Sequence, residues 1–202
     1  MNAAPAYVRN ARIVGAAALG LFVLKLAVDS ANGQAANSLW FCFIGNLCLG
    51  LGLLVQRPLI ARVGALCAIA GLPVWAISMT LEDGITLVST IAHVGGVAIA
   101  AWVIARWRNP PWRAWPVALS AWALALALQT LCRWFTPPAL NVNLSHAIYP
   151  GWERVFSGYF VYNLFVVGAT FVILVALSMI IALLYRTHHR FASQSLHKTE
   201  HA

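Results

Sequence analysis

Two residues of this chain have the types and the surroundings for covalent and acid–base chemistry: Cys42, in the apolar run LWFCFIGNLCLGLGLLV, and His93, in IAHVGGVAIAAW. A thiol becomes a strong nucleophile when a base takes its proton, and imidazole is well suited to that task. Asn46 follows Cys42 by four residues, so a helix puts its amide one turn away on the same face. Thiol, imidazole and amide donor form the smallest set for acyl transfer, with the thiolate attacking an acyl carbon and the amide holding the oxyanion. Each residue also has an ordinary reading. A cysteine in an apolar helix packs as a small hydrophobe, an intramembrane histidine can be a satisfied interhelical contact, and Asn46, Gln129 and Asn163 can join helices by hydrogen bonds.

Other chemistries have less behind them. The four cysteines (Cys42, Cys48, Cys67 and Cys132) never form a CxxC pair, so no zinc knuckle or disulfide scaffold is suggested, and no metal is expected. Haem ligation in the membrane wants paired histidines. His93 supplies one, while His146 falls in a loop, so no cofactor is expected. The remaining four histidines lie between His188 and Ala202 without HExxH-type spacing.

The elements that must position Cys42 and His93 are set by the solvent. Of the 202 residues, 61% are hydrophobic and 9% charged, about a third of the charge share of soluble domains. That excludes a soluble globular domain. A bilayer core of ~30 Å takes about 20 apolar residues per helix, and six runs approach or exceed this: Ile13–Val28, Leu39–Val55, Leu59–Met79, Ile85–Ala105, Trp115–Leu131 and Tyr159–Tyr185. Arg57-Pro58, Glu82-Asp83-Gly84 and Arg106 through Arg113 separate neighbouring runs. Connections this short make neighbours antiparallel. The expected architecture is an all-α, polytopic bundle of six transmembrane helices over residues 1–187, with a basic, disordered tail over 188–202.

Ten of the thirteen Lys and Arg residues fall on the side that carries both termini (Arg9, Arg12, Arg57, Arg62, Arg106, Arg108, Arg113, Arg186, Arg190 and Lys198). The positive-inside rule makes that side cytoplasmic, in an inner membrane. This spacing of charges between apolar runs also argues against nucleic acid as a partner, despite a net charge of +8. Lys25 and Asp29, four apart, can neutralise one another near the outer edge of the first run. On the same side lies the interval 133–157, where Pro137 and Pro138 stop a helix, Asn141 and Asn143 suit turns, and Trp134, Phe135, Tyr149, Trp152 and Phe156 suit the interface. It reads either as an interfacial re-entry segment or as a lid. Counted from the outer ends of their runs, Cys42 lies about 5 Å deep and His93 about 12 Å deep, with Asn46 near the depth of His93.

Three blocks carry a resemblance. WFCFIGNLCLGLGLLVQRPLI, IAHVGGVAIAAWVIARWRNPPWRAWPVAL and NVNLSHAIYPGWERVFSGYFVYN together look like the YwaF-like bacterial integral membrane proteins: a cysteine entering an apolar helix, a histidine-bearing helix before a basic loop with tryptophan, and an Asn-rich motif before a Pro-Trp re-entry. That family is distantly similar to the androgen-induced family of six-span fatty-acid-ester hydrolases and to a related cysteine-dependent phospholipid acyltransferase. The resemblance implies acyl chemistry on lipids, with Cys42 and His93 at the family's cysteine and histidine positions. The chain departs from the pattern at Trp40, often histidine in the relatives, and at Leu144 and His146, where tyrosines follow the asparagines.

The reading that follows is a lipid acyl-ester hydrolase or acyltransferase acting on membrane lipids or an acylated substrate. Cys42 is the nucleophile and His93 the base, with Asn46, Asn141, Asn143 and Trp152 as oxyanion or substrate-binding residues. The alternatives are a non-catalytic subunit or scaffold with a membrane-protein partner, and a small transporter.

Overall fold

The computed structural model describes residues 5–81, 86–106 and 111–199, with side chains placed over 7–77, 86–106 and 111–185. All regular structure in these residues is helical: α1 (Pro5–Ala31), α2 (Phe41–Leu54), α3 (Pro58–Leu81), α4 (Leu87–Arg106), α5 (Ala114–Phe135) and α6 (Tyr159–Thr199). Three short 3-10 turns, at Ala35–Leu39, Pro138–Leu140 and Val142–Leu144, gather at one end of the bundle. This end is called the loop end below.

The protein is an all-helical membrane protein by the length and composition of its helices. Five are long and apolar enough to cross a bilayer, and α2 is the exception among the described helices. Its 14 residues rise only about 21 Å at 1.5 Å each, short of a ~30 Å core. The second apolar run yields a helix shorter than the run itself, for a local reason. Leu39 ends a 3-10 turn, Trp40 is the N-cap and Val55 the C-cap of α2, so three residues of the apolar run are not helix. The Glu82-Asp83-Gly84 segment, Arg108 and Pro110 lie outside the described residues. At the other extreme α6 continues past its apolar part to Thr199, so 188–199 extend a helix where the sequence suggests an unstructured tail.

The solvent assignment shows in what is buried. Lys25, Asp29, Asn46, Arg62, His93 and Ser178 are inside, whereas Val172, Ile180, Leu183 and Leu184 of α6 face out. Such inversion fits lipid, where apolar side chains need no shelter and polar ones do. Helices α1 to α4 form one tightly packed group, and α5 and α6 pair with one another and lean on α3. The first group is held by small residues, among them Ala11, Ala18, Ala61, Ala65 and Ala100 around Leu49 and Leu53. The second core sits between α3, α5 and α6, with Leu66, Cys67, Val117, Ala121, Leu174 and Ile181. Small residues let backbones approach, which drives helix association in lipid where hydrophobic burial does not. At Gly96 of α4 the approach is so close that a Cβ would run into the Asn46 side chain.

Candidate functional site

The loop end places Cys42 on the first turn of α2 and His93 on the second turn of α4. Their side chains meet: His93 Nε2 lies 3.1 Å from Cys42 Sγ. On the far side of the ring, Nδ1 lies 2.8 Å from the carbonyl oxygen of Ser89. A carbonyl can only accept, so Nδ1 carries the proton and donates it there, and neutral imidazole then presents the Nε2 lone pair to the thiol. Cys42 S–H is the donor of that contact. The ring itself is held between two aromatics, stacked on Trp75 at 5.0 Å and met by Phe43 at 4.8 Å. Trp75 Nε1 in turn donates to Ser89 Oγ at 3.1 Å, so position, tilt and tautomer of His93 are all fixed by neighbours.

Depth along the two runs differs by several ångströms, yet the atoms touch. Helical side chains lean toward the helix N-terminus, and α2 and α4 both begin at the loop end. The longer imidazole therefore reaches further back toward that end than the thiol does, and closes the gap.

Both residues line a cavity of ≈ 580 Å³ that also takes in Lys25, Asp29, Asn143, Tyr149, Trp152, Trp122 and Ile173. That volume falls within the range of sites that enclose a small organic ligand, ~300–1,000 Å³. At the loop end its wall carries Asp29, Asn32, Gln34, Asn37 and Asn143, and α5 and α6 contribute a mostly apolar wall with Ala125, Leu126, Val166 and Leu174, broken by Gln129 and Thr170. Space beside the thiol depends on Gly71 of α3, where an added Cβ would stand 3.3 Å from Cys42 Cα and closer still to its Cβ.

The amides have roles different from those the sequence suggests. Asn46 is 1% exposed and donates from Nδ2 to the Ala92 carbonyl at 3.0 Å. It is not part of the cavity wall. Its partner Ala92 is the residue before His93, so the bond fixes α2 against α4, and an amide buried off the cavity wall is not placed to meet an oxyanion. Asn141 is a loop staple: Oδ1 accepts from the N–H groups of His146 at 2.9 Å and Ala147 at 3.0 Å, and Nδ2 donates to the Ala147 carbonyl at 3.1 Å. It too is away from the cavity.

Asn143 does reach the cavity, as a cap. Its Oδ1 accepts from the Phe41 N–H at 2.8 Å, while Nδ2 donates to the Leu39 carbonyl at 2.8 Å and to Cys132 Sγ at 3.3 Å. The N-terminus of α2 has no side-chain cap from its own N-cap residue, Trp40, and an asparagine about a hundred positions on supplies one. It can do so because Asn143 adopts the left-handed region (φ 53), which asparagine tolerates. With Phe41 N–H taken by Asn143 and Phe43 N–H by the Trp40 carbonyl at 2.9 Å, the Cys42 N–H remains as a first-turn donor with no carbonyl of its own helix to bond. Trp152 lines the cavity and stacks on Phe156 at 5.7 Å.

Lys25 and Asp29, which the sequence presents as a structural pair, line the same cavity. They pair with one another, Asp29 Oδ2 accepts from Ser38 Oγ at 2.8 Å, and the Lys25 ammonium sits 4.8 Å over the Phe43 ring. Ser89 and Trp75 were not singled out by the sequence. Ser89 had a readable signal, standing four residues before His93 on one helix face, whereas nothing local marked Trp75. Among the described residues no group of three or more His, Cys, Asp or Glu side chains is placed to hold a metal ion.

Comparison with protein-family models, with curated proteins and with solved structures finds no match to this chain.

Proposed function

We propose that this chain is a six-span inner-membrane protein, with both termini cytoplasmic and the loop end outward, that cleaves or transfers the acyl group of a lipid-like ester through Cys42 and His93. The observation that carries the chemistry is the 3.1 Å contact between Nε2 and Sγ, with Nδ1 engaged on Ser89. The alternation of α1, α2 and α3 supports the sixth span. Helix α2 is packed by α1, α3 and α4, so its short length never has to match the bilayer, since backbone ends buried in protein are tolerated at membrane depth.

In this reading His93 Nε2 takes the Cys42 proton and the thiolate attacks the ester carbonyl carbon. The oxyanion forms beside the Cys42 N–H at the N-terminus of α2, where the helix dipole favours negative charge. Collapse breaks the carbon–oxygen bond, and the leaving alkoxide takes the proton from Nε2. Water, or an acceptor hydroxyl, then gives a proton to Nε2 and attacks the thioester, and the thiolate leaves and recovers that proton. Hydrolase and acyltransferase differ only in this last nucleophile. The cavity's polar wall near the loop end suits the ester and headgroup, and its apolar wall suits the chain.

Incubating the purified protein with a long-chain thiol-reactive acyl probe, then mapping modified peptides, tests this. Cys42 carries the label in the wild type, Cys42→Ala removes it, and His93→Ala slows it by the 10²–10⁴ typical of a lost general base. Labelling spread equally over Cys42 and Cys48, or unaffected by His93→Ala, overturns the assignment in favour of a non-catalytic subunit whose Cys–His contact only joins helices.

A further inference from the structure

A second concavity of ≈ 380 Å³ opens between α5 and α6 near the loop end, lined by Gln129, Thr130, Arg133, Tyr159, Phe160 and Asn163, and sharing only Gln129 with the Cys42 cavity. A groove facing lipid should be apolar, because a polar side chain in hydrocarbon is costly unless it has a partner. Here five of the six side chains are polar or carry a hydroxyl. Their mutual bonds use only part of their capacity. Gln129 Nε2 donates to Asn163 Oδ1 at 2.8 Å, which engages Asn163 through its oxygen and leaves its N–H groups for the groove. Thr130 Oγ1 donates to the Leu126 carbonyl at 2.8 Å. Arg133 Nη1 donates to the Ser145 carbonyl at 2.7 Å, with the guanidinium 4.9 Å over the Tyr159 ring.

A guanidinium has five N–H donors, so most remain. Among the described residues no carboxylate forms an ion pair with Arg133. Trp134, Phe135 and Phe160 around it are each over three-quarters exposed, the signature of aromatics at the headgroup boundary. The site therefore combines an unneutralised cation, surplus donors a turn deeper in the membrane, and a depth set by interfacial aromatics. Two oxygens of a phosphate match the guanidinium fork, and ester carbonyls below it match amide N–H groups.

We propose that this groove binds the headgroup of a phosphate-bearing membrane lipid, with Arg133 on the phosphate and the Asn163 amide toward the glycerol esters. The site stands independently of any chemistry at Cys42.

Native mass spectrometry of the full chain in detergent, titrated with phosphatidylglycerol, diacylglycerol or inorganic phosphate, tests it. Wild type retains one phosphatidylglycerol and does not retain diacylglycerol. Arg133→Gln weakens retention about tenfold, the size of one charge-assisted hydrogen bond, and Arg133→Lys weakens it less. Because Arg133 also helps hold the loop through Ser145, Asn141→Ala is the control. Asn141 staples the same loop through His146 and Ala147 and does not line the groove, so this variant loosens the loop while leaving the guanidinium in place, and retention should stay within twofold. Equal retention by wild type and Arg133→Gln, equal loss in Asn141→Ala, or displacement of the lipid by millimolar inorganic phosphate overturns the proposal, the last by assigning the groove to a free anion.

Discussion

Replacing Asn143 with alanine separates its capping role from a role in binding an oxyanion. The substitution removes three hydrogen bonds: from Phe41 N–H, to the Leu39 carbonyl, and to Cys132 Sγ. The first two leave a part-buried backbone donor and a part-buried acceptor without partners, at about 1–2 kcal/mol each, the lower part of the range for an unsatisfied group because water reaches them in part. Holding alanine in the left-handed region that Asn143 occupies (φ 53) adds roughly 1 kcal/mol. The expected loss is about 3–5 kcal/mol, read as a shift in the midpoint of reversible unfolding in mixed micelles. Asn143→Asp keeps the accepting oxygen on Phe41 N–H and loses only the donor side, so it should cost about 1–2 kcal/mol less than alanine. Its carboxylate, on the N–H of the residue before Cys42, opposes an oxyanion there, so the chemical step slows more than folding suffers. Unchanged stability in Asn143→Ala would refute the reasoning, because it would mean that the N-terminus of α2, and Cys42 with it, is held by something else.

Lys25→Met should cost about 3–5 kcal/mol, since it leaves the buried Asp29 carboxylate with only Ser38 as partner; the double variant Lys25→Met/Asp29→Asn should recover most of this in the same unfolding assay, and a double variant that folds but no longer labels at Cys42 would place the pair in the site rather than the scaffold. Gly71→Ala should press on Cys42, lower stability by about 1–3 kcal/mol and cut Cys42 labelling sharply, while Gly20→Ala, with open space at its Cβ, should be neutral or stabilising by a few tenths of a kcal/mol. Single cysteines at Glu82 and Gln194 should differ in reactivity toward a membrane-impermeant maleimide added to intact cells, with only Glu82→Cys modified; modification of Gln194→Cys would reverse the proposed orientation.

Hydropathy and charge made much of the fold legible. Apolar runs of twenty residues separated by two or three charges leave a chain little choice but antiparallel helices in lipid, and the runs around α1, α3, α4, α5 and the apolar part of α6 appear where the composition puts them. The second run is the informative exception. Hydropathy counts Leu39, Trp40 and Val55 as span, but whether such residues continue a helix depends on caps, and the cap of α2 comes from Asn143, far away in the chain. The i, i+4 pairing of Lys25 with Asp29 was readable because both ends lie on one helix. That its ammonium also lies over Phe43 and beside the thiol's cavity was not.

Sequence by itself determined the solvent, the helical class and the two residues worth watching, because residue type and local periodicity are properties of one segment at a time. Tertiary structure alone decided what those residues do to one another. Cys42 and His93 stand 51 positions apart, and their contact depends on how α2 and α4 are rotated, which Asn46 on the Ala92 carbonyl and the close approach at Gly96 set. The same rotation assigned the proton to Nδ1, spent the amides of Asn46 and Asn143 on backbone, and left the Cys42 N–H at a helix end. Rotation and capping arise from side-chain contacts between segments, each worth about a kcal/mol, and such contacts leave no periodic trace in the order of residues.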